Sequence, residues 1–265
     1  MFESIILGAV QGIAEWLPVS SEAMIVLVKN NFFADGMLFS EMISFAIFLH
    51  LGTLLAVIAY YRKRIIELLQ QLFRYTKLQK TEQQFINFII MATAVSGGLG
   101  VLLLKIIEKY ESWFHNEMVI NIIVAVFLLI TAMMLYISEQ KKTNMTTAVL
   151  SPLRAIITGI FQGFAAVPGI SRSGSTLAGM GILGIDKERA LEISFLLSIP
   201  LVLFANIILN WDMFFSITCE HIIALVSAFV FGIITIDVLL RIVRKIRFSY
   251  FVGIFAFILL VFSFV

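Results

Sequence analysis

Apolar residues run through this chain in long blocks separated by short charged clusters, and the blocks are of two kinds. Six are unbroken over about the 20 residues that a membrane-spanning helix needs: 37–61, 83–104, 118–137, 189–209, 220–240 and 248–265. Two others are interrupted. Residues 4–28 are broken at WLPVSSE (16–22), and residues 155–185 at VPGISRSG (167–174). Each break leaves two apolar arms too short to cross a bilayer alone. That is the pattern of a re-entrant hairpin, which enters and leaves on one side. Irregular backbone at that depth survives only when buried in protein or lining a wet cavity. The expected architecture is an all-α integral membrane protein with six transmembrane helices and two re-entrant helical hairpins.

Charge then orients the blocks. Arg62, Lys63, Arg64, Arg74, Lys77 and Lys80 follow the first span, and Lys141, Lys142 and Arg154 follow the third. Lys187 and Arg189 precede the fourth, and Arg241, Arg244, Lys245 and Arg247 precede the sixth. With six spans and two hairpins all of these fall on one face. The other face receives Lys29, Lys105 and Lys109 against Glu108, Glu111, Glu117, Asp212 and Glu220. The positive-inside rule makes the basic face cytoplasmic and puts both termini outside. The first hairpin then enters from outside and the second from the cytoplasm.

The hairpins also resemble each other. Ile5, Ile6, Gly8, Gln11, Gly12, Ala14, Pro18 and Ser21 align with Ile156, Ile157, Gly159, Gln162, Gly163, Ala165, Pro168 and Ser171 after one deletion, and ISF at 43–45 recurs at 193–195. Each repeat, about 1–140 and about 150–265, holds one hairpin and three spans. Three is odd, so the second copy is expected upside down. Inverted repeats with broken helices meeting near the midplane are a transporter architecture.

Composition agrees with a membrane assignment: 60% of residues are hydrophobic, 14% are charged, and the mean hydropathy is +1.02. Soluble domains are nearer a quarter charged. The length favours a single membrane domain over residues 1–265. The single cysteine, Cys219, excludes an internal disulfide, and His50, His115 and His221 form no metal-ligand spacing. No basic region of a cleavable signal peptide precedes the first block. No nucleotide-binding motif is present, and no nucleic-acid partner is expected.

The polar residues at the breaks carry the candidate chemistry. In the second break Pro168 ends the incoming arm, and Ser171 or Ser173 is a natural N-cap for the outgoing one. A helix N-terminus suits an anion, and Arg172 adds a planar fork matched to phosphate oxygens. Hydroxyls of Ser171, Ser173, Ser175 and Thr176 complete a phosphate cradle. In the first break Gln11 and Glu15 share a helix face at i,i+4, and Ser20 and Ser21 follow the proline. A hydroxyl beside a carboxylate is a nucleophile with a base. The same carboxylate also suits a divalent metal, because Mg²⁺ prefers carboxylate plus phosphate oxygens. Glu22 reads equally as a first-turn acid favouring the helix dipole.

QGIAEWLPVSSEAM (11–24) and PGISRSGST (168–176), in this order and on hairpins, resemble the undecaprenyl-pyrophosphate phosphatase family. The likeness extends to HLGTLLAV (50–57) and ISFLLSIP (193–200) and covers essentially the whole chain. It implies a membrane enzyme that removes one phosphate from a polyprenyl diphosphate, regenerating the lipid carrier for cell-envelope glycan synthesis. It also implies a groove that takes the diphosphate from the outer face and a divalent cation, Mg²⁺ or Ca²⁺. By motif position Ser21 is the nucleophile and Glu15 the base or metal ligand. Arg172 grips phosphate, while Gln11, Ser20, Ser171, Ser173 and Thr176 bind substrate.

One position departs from the pattern. Members of that family read Ser-Ser-x-Gly-His, whereas this chain reads Ser-Ser-Glu-Ala-Met, so Met24 stands where the family's histidine is expected. A thioether cannot shuttle a proton. Glu22, next to Ser21, is one replacement base. His50, in the middle of the first span, reads either as a histidine hydrogen-bonded between helices or as a proton shuttle. The rival reading is a carrier or binder of polyprenyl phosphate that kept the cradle and lost hydrolysis. The partners expected on either reading are the polyprenyl lipid and the bilayer.

Overall fold

A computed structural model describes residues 1–33, 39–110, 117–141, 150–243 and 245–263, and its regular elements are all helical. Lys142, Arg244, Glu111 and His115, with the ends of the first and sixth expected spans at 37–38 and 264–265, lie outside the described residues. Eleven α-helices follow in order: α1 (Phe2–Ala14), α2 (Ser21–Phe32), α3 (Phe39–Tyr60), α4 (Arg62–Phe73), α5 (Lys80–Lys109), α6 (Glu117–Gln140), α7 (Pro152–Gly163), α8 (Arg172–Ile182), α9 (Lys187–Leu209), α10 (Cys219–Ile242) and α11 (Phe248–Phe262).

Five of them, α3, α5, α6, α9 and α10, are long and apolar enough to cross a membrane. The sixth expected span is α11, whose 15 residues fall short of about 20. Both interrupted blocks form helix–break–helix units, α1–α2 and α7–α8, with the breaks where the proline-containing motifs lie. Helix α4 was not expected. Its stretch carries a cluster of basic residues that the sequence reading used only for orientation. It winds into an amphipathic helix whose Ile65 and Leu68 pack on the core while Ile66, Leu69, Leu72 and Phe73 stay exposed.

Local chemistry explains several helix starts. Ser151 accepts a hydrogen bond from Arg154 N (3.4 Å), with Pro152 opening α7. Asp186 accepts from Glu188 N (3.1 Å) to start α9. The Glu139 carboxylate accepts from Phe248 N (2.8 Å) and Ser249 Oγ (2.5 Å), so the end of α6 caps α11.

Small residues set the packing. A Cβ on Gly8 would lie 2.3 Å from Ala224 O, and one on Gly12 2.7 Å from Ala228 O, so α1 sits backbone-to-backbone against α10. Gly159 and Gly163 do the same for α7 against α5, where a Cβ would meet Ala92 O at 2.7 Å and Leu99 Cβ at 2.9 Å. Such close approach is how membrane helices gain packing contacts without a hydrophobic driving force between them. The outer surface is oily: Ile222, Val226, Val230, Ile234 and Val238 form an exposed i,i+4 stripe on α10, opposite buried Ala224, Ala228 and Ile236.

The two breaks meet inside this assembly. A Cβ on Gly174 would stand 2.9 Å from Pro18 Cβ, and Ser173 Oγ donates to Leu17 O at 3.0 Å. Gly169 takes a positive φ of 98° beside Val124 of α6, a turn that a side chain would strain.

Candidate active site

Glu15 continues the helical turn of α1, with its N–H bonded to Gln11 O, and then the chain breaks. Trp16 is buried and donates its indole N–H to Gly232 O (3.0 Å), which anchors the break against α10. Ser20, the residue before α2, has φ 60° and ψ 91°. A non-glycine residue there costs of order 1–3 kcal/mol, and such positions cluster at functional sites. The consequence is that Ser21 opens α2 pointing back at Glu15.

Glu15 is the hub. Its Oε2 accepts from Gln11 Nε2 at 2.8 Å, from Ser21 Oγ at 2.8 Å, and lies 3.0 Å from His50 Nε2. Its Oε1 pairs with an Arg172 terminal nitrogen. Glu15 is only 5% exposed, and this set of donors compensates a charge that would otherwise be very costly to bury. His50, on α3, has Nδ1 2.7 Å from Ala46 O. A carbonyl only accepts, so Nδ1 carries a proton and Nε2 is the exchangeable nitrogen. It faces Glu15 and lies 3.4 Å from Ser21 Oγ.

Arg172 heads α8. One of its terminal nitrogens donates to Ser194 O (3.2 Å), and its guanidinium lies 5.9 Å from the centre of a Trp16 ring. Of the two N-caps expected from sequence, Ser171 and Ser173, it is Ser171 that accepts from Gly174 N at 3.2 Å. Its own N–H reaches Thr131 Oγ1 of α6 at 3.4 Å. The N–H groups of Arg172 and Ser173 precede the first intrahelical bond, and such a helix start suits an anion.

The cradle hydroxyls are occupied differently from the sequence reading. Ser173 Oγ ties to Leu17 O, while Ser175 Oγ and Thr176 Oγ1 donate to Arg172 O at 3.2 and 2.7 Å. These side chains hold the hairpin in shape, while Arg172 lines the adjoining cavity. Ser20 is buried and makes no side-chain cap bond. Glu22 lines the adjoining cavity, and the Ser21 proton goes to Glu15 rather than to Glu22. Met24 is a partly buried packing residue on the hydrophobic core.

Glu22, His50 and Arg172 form the deep end of a cavity of about 800 Å³. Its walls are apolar, built by Ile43 and Ile47 of α3, Val101 and Leu104 of α5, and Val202 and Ala205 of α9. Phe39, Lys105, Glu108 and Leu209 line its far end. A charged head at the deep end and a long apolar tail along the walls match this shape.

Sequence reasoning singled out Gln11, Glu15, Ser21 and Arg172 at the two breaks, four residues that the structure brings together. It missed the Ser194 carbonyl and Thr131, which touch the second break through space. The ISF repeat around Ser194 was the available signal for the first; nothing in the sequence marked the second. Among the described residues no group of three or more His, Cys, Asp or Glu side chains is arranged to hold a metal.

A family model for bacitracin resistance protein BacA matches residues 4–261. The chain is 38% identical to an undecaprenyl-diphosphatase of Methanococcoides burtonii, over 94% of this chain and 93% of the relative. It is 37% identical to one of Treponema denticola, over 95% and 92%. It is 34% identical to undecaprenyl-diphosphatase 1 of Shouchella clausii, over 100% and 96%. A match of that extent, on a chain whose two broken helices bring Glu15, Ser21 and Arg172 together, means that this multi-pass membrane protein belongs to the bacitracin resistance protein BacA family.

Proposed function

We propose that the protein hydrolyses a polyprenyl diphosphate of the undecaprenyl type to the monophosphate, recycling the lipid carrier for cell-envelope glycan synthesis. The observation that carries this reading is Glu15 holding Ser21 and Arg172 at once, with Arg172 and His50 opening onto an apolar groove. Hydrolase relatives named undecaprenyl-diphosphatase support it.

The chemistry follows from the geometry. Incoming phosphate oxygens compete with Glu15 for Arg172 and take up the N–H groups opening α8. Glu15, released from Arg172, accepts the Ser21 proton while Ser21 Oγ forms a bond to the terminal phosphorus. The bond from that phosphorus to the bridging oxygen breaks, and its electron pair leaves on the lipid monophosphate. Water then attacks the phosphoserine. His50 Nε2, having given its proton to the departing lipid monophosphate, takes the water proton. The Ser21 Oγ–phosphorus bond breaks as Glu15 returns its proton to Ser21 Oγ, giving inorganic phosphate and the serine. Arg172 neutralises charge developing in both steps. His50 thus fills, from another helix, the role that Met24 leaves empty. The carrier reading is disfavoured because the Ser21–Glu15–Arg172 arrangement is intact.

A divalent cation fits the residues present only as a shared ion. Both Glu15 oxygens are engaged, and Glu22 is the carboxylate that lines the cavity beside His50 and Arg172, Glu108 lying at its far end. Mg²⁺ typically takes one or two carboxylates plus substrate phosphates, so Glu22, with Glu15 as it is released, would hold it against the diphosphate. When bound, the cation supplies charge neutralisation.

The membrane arrangement we infer has six spans, α11 being the shortest, with α1–α2 and α7–α8 as opposed re-entrant hairpins in an inverted repeat. Exchanging the repeats maps α1 on α10 onto α7 on α5, and both pairs are packed. It also maps the Gly8 and Gly12 contacts onto those of Gly159 and Gly163. Both termini lie outside and the basic segments face the cytoplasm, as the charge distribution supports.

The test is phosphate release from a long-chain polyprenyl diphosphate by the purified protein in detergent, with and without divalent metal. Turnover abolished in Glu15→Gln and Arg172→Ala is expected. An inactive wild type that still binds the lipid through Arg172 would replace this reading with the carrier.

A further inference from the structure

The deep end of the groove has a second polar wall to which neither the motifs nor the catalytic steps assign a role. Thr93 and Ser96 of α5 and Gln162 of α7 line the same cavity as Arg172. Gln162 is 1% exposed and its Nε2 donates to Ser96 Oγ at 3.3 Å, while Ser96 Oγ donates to Thr93 O at 3.1 Å. Gln162 Oε1 and Thr93 Oγ1 are buried with no hydrogen-bond partner. Leaving such groups unmade is costly, which marks them as awaiting a ligand.

The repeat explains how the wall arose. Gln162 is the counterpart of Gln11, whose amide goes to Glu15 one turn on. One turn on from Gln162 stands Ala166, which lines the cavity and offers no carboxylate. Beside the cluster, a Cβ on Gly97 or Gly98 would meet nothing within 4 Å, so the wall has room for a bulky group. Ser96 Oγ both donates and accepts, so the Gln162 amide can turn its NH₂ into the cavity and keep its bond. The wall then offers amide and hydroxyl protons and no charge.

We propose that Thr93 and Gln162, backed by Ser96, form a second phosphate subsite that holds the lipid-borne phosphate while the terminal one reacts at Ser21. This rests on the phosphatase reading. The lipid-borne phosphate is tied to a tail that lies along the apolar walls, and the terminal phosphate belongs to Arg172. Neutral donors orient the lipid phosphate for in-line displacement, yet grip the monophosphate product less tightly than a cation does. The product therefore leaves.

The experiment measures KM, kcat and product inhibition for the detergent-purified wild type, Thr93→Val, Thr93→Ser and Gln162→Met. Thr93→Val and Gln162→Met are expected to raise KM for the diphosphate about tenfold, the loss of one hydrogen bond to a charged group. The inhibition constant of polyprenyl monophosphate should rise by the same factor and that of inorganic phosphate stay unchanged. Thr93→Ser, which keeps the hydroxyl, should behave as wild type. Unchanged constants in the first two variants would overturn the subsite, as would an equal rise in Thr93→Ser. A change confined to inorganic phosphate would overturn the assignment to the lipid-borne group. A wild type without turnover would instead overturn the phosphatase reading beneath it.

Discussion

A carboxylate buried among apolar helices is tenable only when its charge is matched, and Glu15 is matched by Arg172, Ser21, Gln11 and His50 together. Removing one partner of a buried pair typically costs about 3–5 kcal/mol, whereas removing both is often close to neutral. Arg172→Met is therefore expected to lower the thermal midpoint in detergent, and adding Glu15→Gln should recover part of the loss; a double variant less stable than Arg172→Met would contradict the pairing. At His50 the expectation is kinetic. His50→Gln should cut turnover by about 10²–10⁴, the usual worth of a positioned acid or base, while Met24→Leu leaves it unchanged. Gln11, Glu15, Ser21 and Arg172 were legible in sequence because helix spacing and capping are local rules. His50 was legible only as two alternatives, a histidine bonded between helices or a proton shuttle, because periodicity says where along a span a histidine lies but not which break it faces.

The helices themselves make the site by approaching closely, and the glycine pairs on α1 and α7 permit this. Gly8→Ala would drive a methyl to 2.3 Å from Ala224 O, and overpacking of this kind costs about 1–3 kcal/mol. Gly253→Ala is the matched control: its Cβ would meet Ala132 Cβ at an ordinary 3.8 Å, and helix propensity should then stabilise α11 by about 0.5–1 kcal/mol. Thermal melts of the two variants should move in opposite directions; equal shifts would show that the α1–α10 approach does not limit stability. Both breaks were readable from proline, serine and glycine interrupting apolar runs. Helix α4 was not, since its basic residues dominate the pattern and its apolar face emerges only with Ile65 and Leu68 seated on the core. Nor was the 15-residue length of α11, because an apolar run does not show where its helix ends.

At the scale of the whole molecule the surface is apolar around a polar centre, and the arrangement in the membrane can be read with one native probe. Cys219 is the only cysteine and is exposed at the start of α10. The proposed topology puts it on the outer face, so a membrane-impermeant maleimide should label it in intact cells; labelling only after permeabilisation would invert the topology. The account stands or falls, however, on whether Ser21 attacks phosphorus. His50→Gln should slow the second step, so the measurement to make is an acid quench of that variant after mixing with polyprenyl diphosphate radiolabelled in its terminal phosphate. Label recovered on the peptide containing Ser21, and absent when Ser21→Ala is used, is the predicted result. Turnover at the wild-type rate with no label on Ser21 would contradict it.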